Sequence, residues 1–288
     1  MASADERVDL HTHSTASDGT FTPAALVEAA KAEGLAAIAL TDHDTTGGLA
    51  EATVAGKRLG VEVVPAIEIS AMRERGTLHI VGLFIDATNA TLAEKCSQMQ
   101  AKRAERNDRM LERLNALNMP ITLEEVQAAS GGDILGRPHV ATVLLEKGYV
   151  ANRQEAFDLW LAKGKPAYFP KALFDPAESI AMIHEAGGVA VIAHPDQLKC
   201  ADDVELDATV KALKDAGMDG IETQWSNGTP EYMAKSRAMA ATHDLLESGG
   251  SDFHGAMKPE IRLGAGLGQL RMTGAMLEAL REAAHARR

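Results

Sequence analysis

Near the start of the chain, in RVDLHTHSTASDG at residues 7–19, two histidines flank a single threonine. In a β-strand, His11 and His13 point to the same face about 6–7 Å apart along the chain. Two imidazoles so placed can share one metal ion, although an isolated pair is equally compatible with solvent-facing histidines at a strand end. Further groups of the same chemistry close other apolar runs: Asp42 and His43 in ALTDHD, Glu68 in PAIEIS, His194 in VAVIAHP, Glu222 in DGIETQ, and Asp252 with His254 in GGSDFH. His79 lies in the apolar run GTLHIVGLFID. One such coincidence means little. This many, all of types that bind borderline and hard divalent ions, point to a metal cluster on one face of a sheet. With imidazole and carboxylate present and thiolate absent, Mn, Fe and Zn are the fitting ions.

The elements that must position these groups follow a regular rhythm. Short runs rich in Val, Ile and Leu alternate with Ala-rich helical stretches, as in parallel strands joined by crossover helices. RVDLHTH leads to TPAALVEAAKAEG, where Thr22 is the expected N-cap, Pro23 the first helical residue and Gly34 the stop. LAAIALTDHD, VEVVPAIEIS, VAVIAHP, DGIETQWS and LLESGGSDFHG continue the strand series, and GTLHIVGLFID is expected as a hairpin arm on VEVVPAIEIS. Seven strands suit an α/β fold of the distorted (β/α)7, TIM-like barrel type, with a doubly wound sheet as the other arrangement. In a barrel the catalytic groups sit at the C-terminal strand ends, where these residues fall. Residues 91–166 break the rhythm with helices only. The expected organisation is therefore a barrel of residues 1–90 and 167–288 interrupted by an all-helical insertion.

Composition narrows the function classes. The formal charge of -12 argues against a broad grip on long duplex nucleic acid, while leaving room for a small anion at a local cationic site. MASADERV lacks the charged and apolar regions of a signal peptide, no apolar run reaches membrane-span length, and Cys96 and Cys200 form no C-x-x-C pair. A cytoplasmic protein with reduced thiols and no membrane partner is expected; oligomeric state is not readable. No Ser or Cys nucleophile motif and no phosphate-binding GxxxxGK loop is evident, which disfavours a covalent phosphoenzyme.

Taken in order, VDLHTHSTASDGTFTP, IALTDHDT, PAIEIS, LHIVGLF, AHP and GGSDFHG resemble the motifs of the polymerase and histidinol phosphatase (PHP) family of phosphoesterases. The resemblance implies a distorted seven-stranded barrel with two or three divalent ions, Mn foremost. Carried over position by position, one ion would take His11, His13, Glu68 and Asp252; a second would share Glu68 and add His79 and His194. A third would use Asp18, His43 and His254, and because some relatives carry histidine at the position of Asp18, that site is expected to bind most weakly. Neighbouring divalent ions supply hydroxide near neutral pH and clamp phosphoryl oxygens, so hydrolysis of a phosphate ester by a metal-bound hydroxide is the implied reaction. Asp42 and Glu222 fall outside the ligand set and either orient ligand imidazoles or cap the following helices.

The insertion carries the candidates for substrate recognition. In AKRAERNDRMLER, Arg103, Arg106 and Asn107 share one helical face, and guanidinium groups match phosphate oxygens; the plainer reading is a solvated face with Arg109 paired to Glu105. In LGRPHVA, Arg137 and His139 open a helix whose first amides also favour anions. The long Arg-bearing helix followed by GRPHVA is similar to the PHP subgroup of nucleoside 3',5'-bisphosphate phosphatases and ribonuclease AM, a 5'-to-3' exoribonuclease on short RNA. That similarity implies removal of the 3'-phosphate of adenosine 3',5'-bisphosphate, with Arg103, Arg106 and Arg137 holding either the 5'-phosphate end or the transferring phosphoryl group and Arg137 the catalytic candidate. Asn107, His139 and Asp18 join them as substrate-binding candidates, and Asn227, just beyond the strand DGIETQW, faces the same rim as a contact for base or sugar. A small nucleotide or short RNA end is then the partner. Two other classes remain in view: amidohydrolase-like C–N hydrolysis, which calls for a bridging lysine late in the fourth strand that is missing here, and a non-enzymatic, metal-stabilised binding module.

Overall fold

The computed structural model describes residues 2–130 and 135–288; residues 131–134 of the helical insertion lie outside it. The described chain divides into two compact units, one of Met1–Glu94 with Leu173–Arg288 and one of Lys95–Ala172.

Within the first unit, seven strands hydrogen-bond in chain order: β1 (Val8–Thr12), β2 (Ala37–Leu40), β3 (Glu62–Ala71), β4 (Leu78–Leu83), β5 (Val189–Ile192), β6 (Gly220–Trp225) and β7 (Leu246–Gly250). All neighbours are parallel except those of β4, which runs antiparallel to both β3 and β5. The ring nearly closes, with the Asp252 N–H donating to the His11 carbonyl at 2.9 Å and a parallel bridge joining Thr12 to Phe253. Sequential order with closure makes this a distorted (β/α)7 barrel rather than a doubly wound sheet.

The crossover helices are α1 (Pro23–Ala32), α2 (Leu49–Leu59), α7 (Pro176–Glu185), α8 (Asp203–Asp215), α9 (Pro230–Thr242) and the terminal α10 (Gly274–Arg287). Helix α1 starts as its sequence dictates, with Thr22 Oγ1 accepting from the Ala25 N–H, Pro23 at the first position and Gly34 at φ 70° beyond the end. Inside the barrel, Val64 and Ala66 of β3, Val81 and Leu83 of β4, and Val189 and Val191 of β5 pack with Leu277 and Leu280 of α10. Because side chains alternate along a strand, Glu68 shares the face of Val64 and Ala66, and His79 that of Val81 and Leu83. The apolar lining thus gives way to carboxylate and imidazole at the rim. Reversal of β4 matters here: His79 lies at that strand's start, opposite Ser70 of β3, and so reaches the same rim as residues at the ends of the parallel strands.

The second unit holds most of α3 (Ala90–Ala116), then α4 (Leu123–Ser130), α5 (Arg137–Glu146) and α6 (Arg153–Ala156), which continues into a π-helical turn over Phe157–Leu161. Its own core joins Met110, Leu111 and Leu114 of α3 to Val126 of α4, Val140, Val143 and Leu144 of α5, and Leu161. Among the described residues, no helix is long and apolar enough to cross a membrane.

Candidate active site

Six of the seven strands deliver one or more groups to the rim. His11 lies in β1 and His13 just beyond it, with ring centroids 5.2 Å apart. His43 follows β2 and forms a parallel bridge with Glu68 of β3. His194 follows β5, while Asp252 and His254 follow β7. All nine sequence-derived candidates meet here. Glu68 is central: its Oε1 is 2.9 Å from His79 Nδ1, 3.0 Å from His194 Nε2 and 3.5 Å from His11 Nε2, and its Oε2 is 2.8 Å from His43 Nδ1 and 3.4 Å from His13 Nε2. Asp252 Oδ1 lies 3.3 Å from His13 Nε2, 3.4 Å from His254 Nδ1 and 3.7 Å from His11 Nε2. Asp18 Oδ1 is 3.3 Å from His254 Nε2.

Ligand atoms about 2.0–2.2 Å from one ion stand about 3–3.5 Å apart, so most of these spacings suit a shared cation. Four sets have converging ligand atoms: His11, His13 and Asp252; His11, Glu68 and His194; His43, Glu68 and His79; and Asp18, His13, His43 and His254. His43 therefore stands with Glu68 and His79 as well as with Asp18, and His11 with His194, a grouping more interlaced than motif order suggests. A second observation bears on occupancy. His11 Nε2, both ring nitrogens of His13, His43 Nδ1 and Glu68 Oε2 are buried without a hydrogen bond among the described residues. Leaving such atoms unpaired costs about 1–3 kcal/mol each, and lone pairs aimed at one point are what a divalent cation satisfies. The residues present fit the metal cluster.

Charges in the metal-free rim are strongly polarised. Burial would raise the Glu68 carboxyl, yet His43, His79 and His11 hold it well below the usual range. Burial opposes ionisation of Asp252 too, and Lys258 and His254 overcome it. Burial, reinforced by neighbouring imidazoles, pushes His13 down to about 3, and burial takes His79 to about 4. For His11 the burial penalty is outweighed by Glu222 and Glu68, which raise it well above the ordinary value. His254 is likewise raised, Asp252 and Asp18 outweighing burial.

Supporting groups fix these side chains. Glu222 Oε1 accepts from His11 Nδ1 at 2.7 Å, turning Nε2 toward the cluster, and Glu222 Oε2 accepts from the His194 N–H at 2.5 Å. Asp42, by contrast, accepts from the Ser14 N–H and from both the Ser14 and Ser17 hydroxyls, fixing the turn after β1 rather than an imidazole. His194 at φ 28° and Asp252 at φ 53° adopt left-handed backbone, a strain of about 1–3 kcal/mol each, held by the His194 N–H on Glu222 and the Asp252 N–H on the His11 carbonyl. Two groups escaped the sequence reading, the buried Asp9 and the half-buried Lys258. Asp9 accepts from the Ser251 and Gly264 N–H groups at 2.8 and 2.7 Å and so ties β1 to the loop after β7. Lys258 Nζ donates to Asp252 Oδ2 at 2.6 Å. The available signals were a carboxylate inside an apolar run for Asp9 and a lysine four residues past His254 for Lys258.

The helical unit gathers arginines instead. Arg106 is buried, its Nη2 donates to Asn107 Oδ1 at 2.7 Å, and its Nε has no hydrogen bond among the described residues. Burial, then the neighbouring Arg103 and Arg137 charges, lower its pKa to about 10. Arg137 donates to the Leu161 carbonyl at 3.3 Å and lies over the Tyr168 ring at 5.5 Å. Arg109 stacks on Phe169 at 4.6 Å. His139 is buried and its Nδ1 accepts from the Gly136 N–H at 3.2 Å, capping its own helix. Asn107 Nδ2 donates to the Leu135 carbonyl, which leaves its side chain committed to Leu135 and Arg106. Asn227 is exposed in the turn after β6, and Trp225 is core, edge-on to Tyr232.

A distorted barrel whose rim converges imidazoles and carboxylates on one point is the architecture of a metal-dependent phosphoesterase. Residues 9–165 match the PHP domain, and the chain belongs to that family. The sequence is 36% identical over 258 residues to the 5'-3' exoribonuclease Rnm of Escherichia coli (strain K12), covering 89% of this chain and 87% of that protein. It is 35% identical over 248 residues to the 3',5'-nucleoside bisphosphate phosphatase of Chromobacterium violaceum, covering 86% and 87%. Among solved structures, a metal-dependent phosphoesterase of Bifidobacterium adolescentis, so designated by inference, superposes with a TM-score of 0.83 at 34% identity, covering 97% of this chain and 96% of that one.

Proposed function

We propose that this phosphoesterase removes the 3'-phosphate of nucleoside 3',5'-bisphosphates, converting adenosine 3',5'-bisphosphate to AMP and phosphate. The observation that carries the reading is Arg106, a buried guanidinium beside Arg103 and Arg137 with no carboxylate partner among the described residues. A buried guanidinium such as Arg106, without a carboxylate of its own among the described residues, calls for an anion, and guanidinium suits phosphate. The metal cluster suits the phosphate that is cleaved, and the arginine set suits a phosphate anion by its own chemistry. The naming of the Chromobacterium violaceum relative supports the same substrate class.

In this reading His11, His13, Glu68 and Asp252 hold one divalent ion, Glu68 with His79 and His194 a second, and Asp18, His43 and His254 a third. Mn suits such imidazole and carboxylate donors, with Fe or Zn as the other candidates. When bound, the ions supply Lewis-acid stabilisation of the phosphoryl oxygens and lower the pKa of water. The chain's own contribution is orientation. Glu222 keeps the His11 Nε2 lone pair on the cluster, Asp42 secures the turn that carries Asp18, and Arg137 and Arg106 neutralise phosphate charge. Asn107 holds Arg106 in place, His139 caps the helix that presents Arg137, and Asn227 offers a rim contact for sugar or base.

A second reading, a 5'-to-3' exoribonuclease on short 5'-phosphorylated RNA, draws support from the name of the Escherichia coli relative. The test is metal-reconstituted protein assayed on adenosine 3',5'-bisphosphate, AMP, a short 5'-phosphorylated RNA and a panel of sugar phosphates. Preferential phosphate release from the bisphosphate is expected. Equal turnover of simple monoesters would overturn the bisphosphate assignment, and preferential release of mononucleotides from the RNA would favour the second reading.

A further inference from the structure

Lys258 is absorbed by neither the ligand set nor the arginine set, and its position is built rather than accidental. The turn Gly255–Met257 carries it back toward the rim, with Gly255 at φ 65°, the Ala256 N–H donating to Thr20 Oγ1 at 2.9 Å and the Lys258 N–H donating to the Gly255 carbonyl at 3.0 Å. Its ammonium then meets one oxygen of Asp252, 2.6 Å from Oδ2, while Oδ1 faces His13, His11 and His254. The Asp252 backbone is held as well, its N–H donating to the His11 carbonyl. The carboxylate is therefore divided: one oxygen for the cluster, one for a fixed cation.

We propose that Lys258 is a positioning residue that restricts Asp252 to single-oxygen ligation and sets the charge of the metal centre. This rests on the metal-cluster reading above. An ammonium on the distal oxygen draws charge from the ligand and repels the ion beside it. The ion binds less tightly than its carboxylate and imidazole ligands would otherwise allow, and it keeps more of its positive charge for the phosphoryl group. A unit charge next to a divalent ion in a partly buried site is worth more than about tenfold in affinity.

The test uses the full chain with Lys258→Gln, Lys258→Met and Lys258→Arg. Gln keeps an N–H donor for Asp252 without the charge, Met removes both, and Arg keeps both. Mn2+ affinity is read by competition with a chelator of known affinity, bound metal by elemental analysis, folding by Tm, and turnover by phosphate release. Gln and Met are expected to bind Mn2+ at least about tenfold more tightly while kcat falls, and Arg to stay near wild type. A role confined to holding the fold or the rotamer would instead leave Gln at wild-type affinity and make Met weaker. Unchanged or weaker Mn2+ binding by the Gln variant overturns the inference. Wild-type protein that binds no Mn2+ overturns the metal reading itself, so the two failures are distinguishable.

Discussion

Glu222→Gln changes one oxygen to one amide and isolates what orientation contributes to the centre. Both Glu222 oxygens are engaged, Oε1 by His11 Nδ1 at 2.7 Å and Oε2 by the His194 N–H at 2.5 Å. A glutamine carbonyl satisfies one of these donors, and the immobile backbone N–H of His194 claims it. The amide NH2 then faces His11 Nδ1. Either two donors confront each other, or His11 switches tautomer and places its proton on Nε2, the atom 3.5 Å from Glu68 and 3.7 Å from Asp252. A protonated Nε2 cannot ligate. Losing one charge-assisted bond costs about 1.5–3 kcal/mol, which at about 1.4 kcal/mol per decade corresponds to roughly 10–100-fold weaker metal binding. Chelator competition with Mn2+ at neutral pH measures it, alongside Tm of the metal-free protein, which drops by a few degrees as the buried donor loses its partner. Activity at limiting Mn2+ falls with affinity and returns in part at excess Mn2+. A Gln variant with wild-type Mn2+ affinity and Tm would refute the claim that Glu222 sets the His11 tautomer.

Three further outcomes are expected. Gly250→Ala places a Cβ 2.2 Å from the His11 Cβ and 2.4 Å from its backbone nitrogen, so β7 must move off β1; a loss of about 1–3 kcal/mol by thermal unfolding, with less bound metal, is the expected result. His194→Ala depletes bound metal and turnover together, whereas Arg137→Ala leaves metal content intact and lowers kcat/KM for the bisphosphate, read by elemental analysis and phosphate release. In metal-free protein, the rim histidines should make stability fall on both sides of their ordinary value, about pH 6.5. Below that value the unfolded state takes up protons that His79 and His13 refuse until about 4 and 3, so stability falls with falling pH. Above it the folded state retains protons on His11, His194 and His254 that the unfolded state has lost, so stability falls with rising pH. A Tm series that rises steadily through pH 8 would contradict this.

The barrel was legible because its signals are local. Most strands lead into a polar group, α1, α7, α8 and α9 each carry a side-chain N-cap, and the run containing His79 reads as a hairpin arm whose reversal brings that histidine to the rim. What was not legible depends on closure of the ring. The partners of Asp9, Ser251 and Gly264, lie more than 240 residues away, and nothing near RVDLHTH announces them. Lys258 shares a short segment with Asp252, but only the φ 65° turn at Gly255 directs it back toward that carboxylate. Which histidines converge on which carboxylate is likewise a property of the closed rim, hence the sharing of His43 between Glu68 and Asp18. The π-helical turn at Phe157–Leu161 has no signature in a pattern of 3.6-residue period.

The metal-free rim also shows why the barrel tolerates so many buried polar atoms. Asp18, Glu68 and Asp252 are held ionised by imidazoles and by Lys258, while His11, His194 and His254 are raised above their ordinary value. Protons on the imidazoles and the Lys258 ammonium thus balance the carboxylates. Ions that enter must displace those protons, which makes metal affinity rise with pH over the range in which metal-free stability falls. The His13 ring, neutral at neutral pH, already offers a lone pair on one nitrogen and need lose no proton to ligate. His13 is therefore the histidine whose replacement should weaken metal binding with the least change in its pH dependence, whereas replacing His11 should alter both.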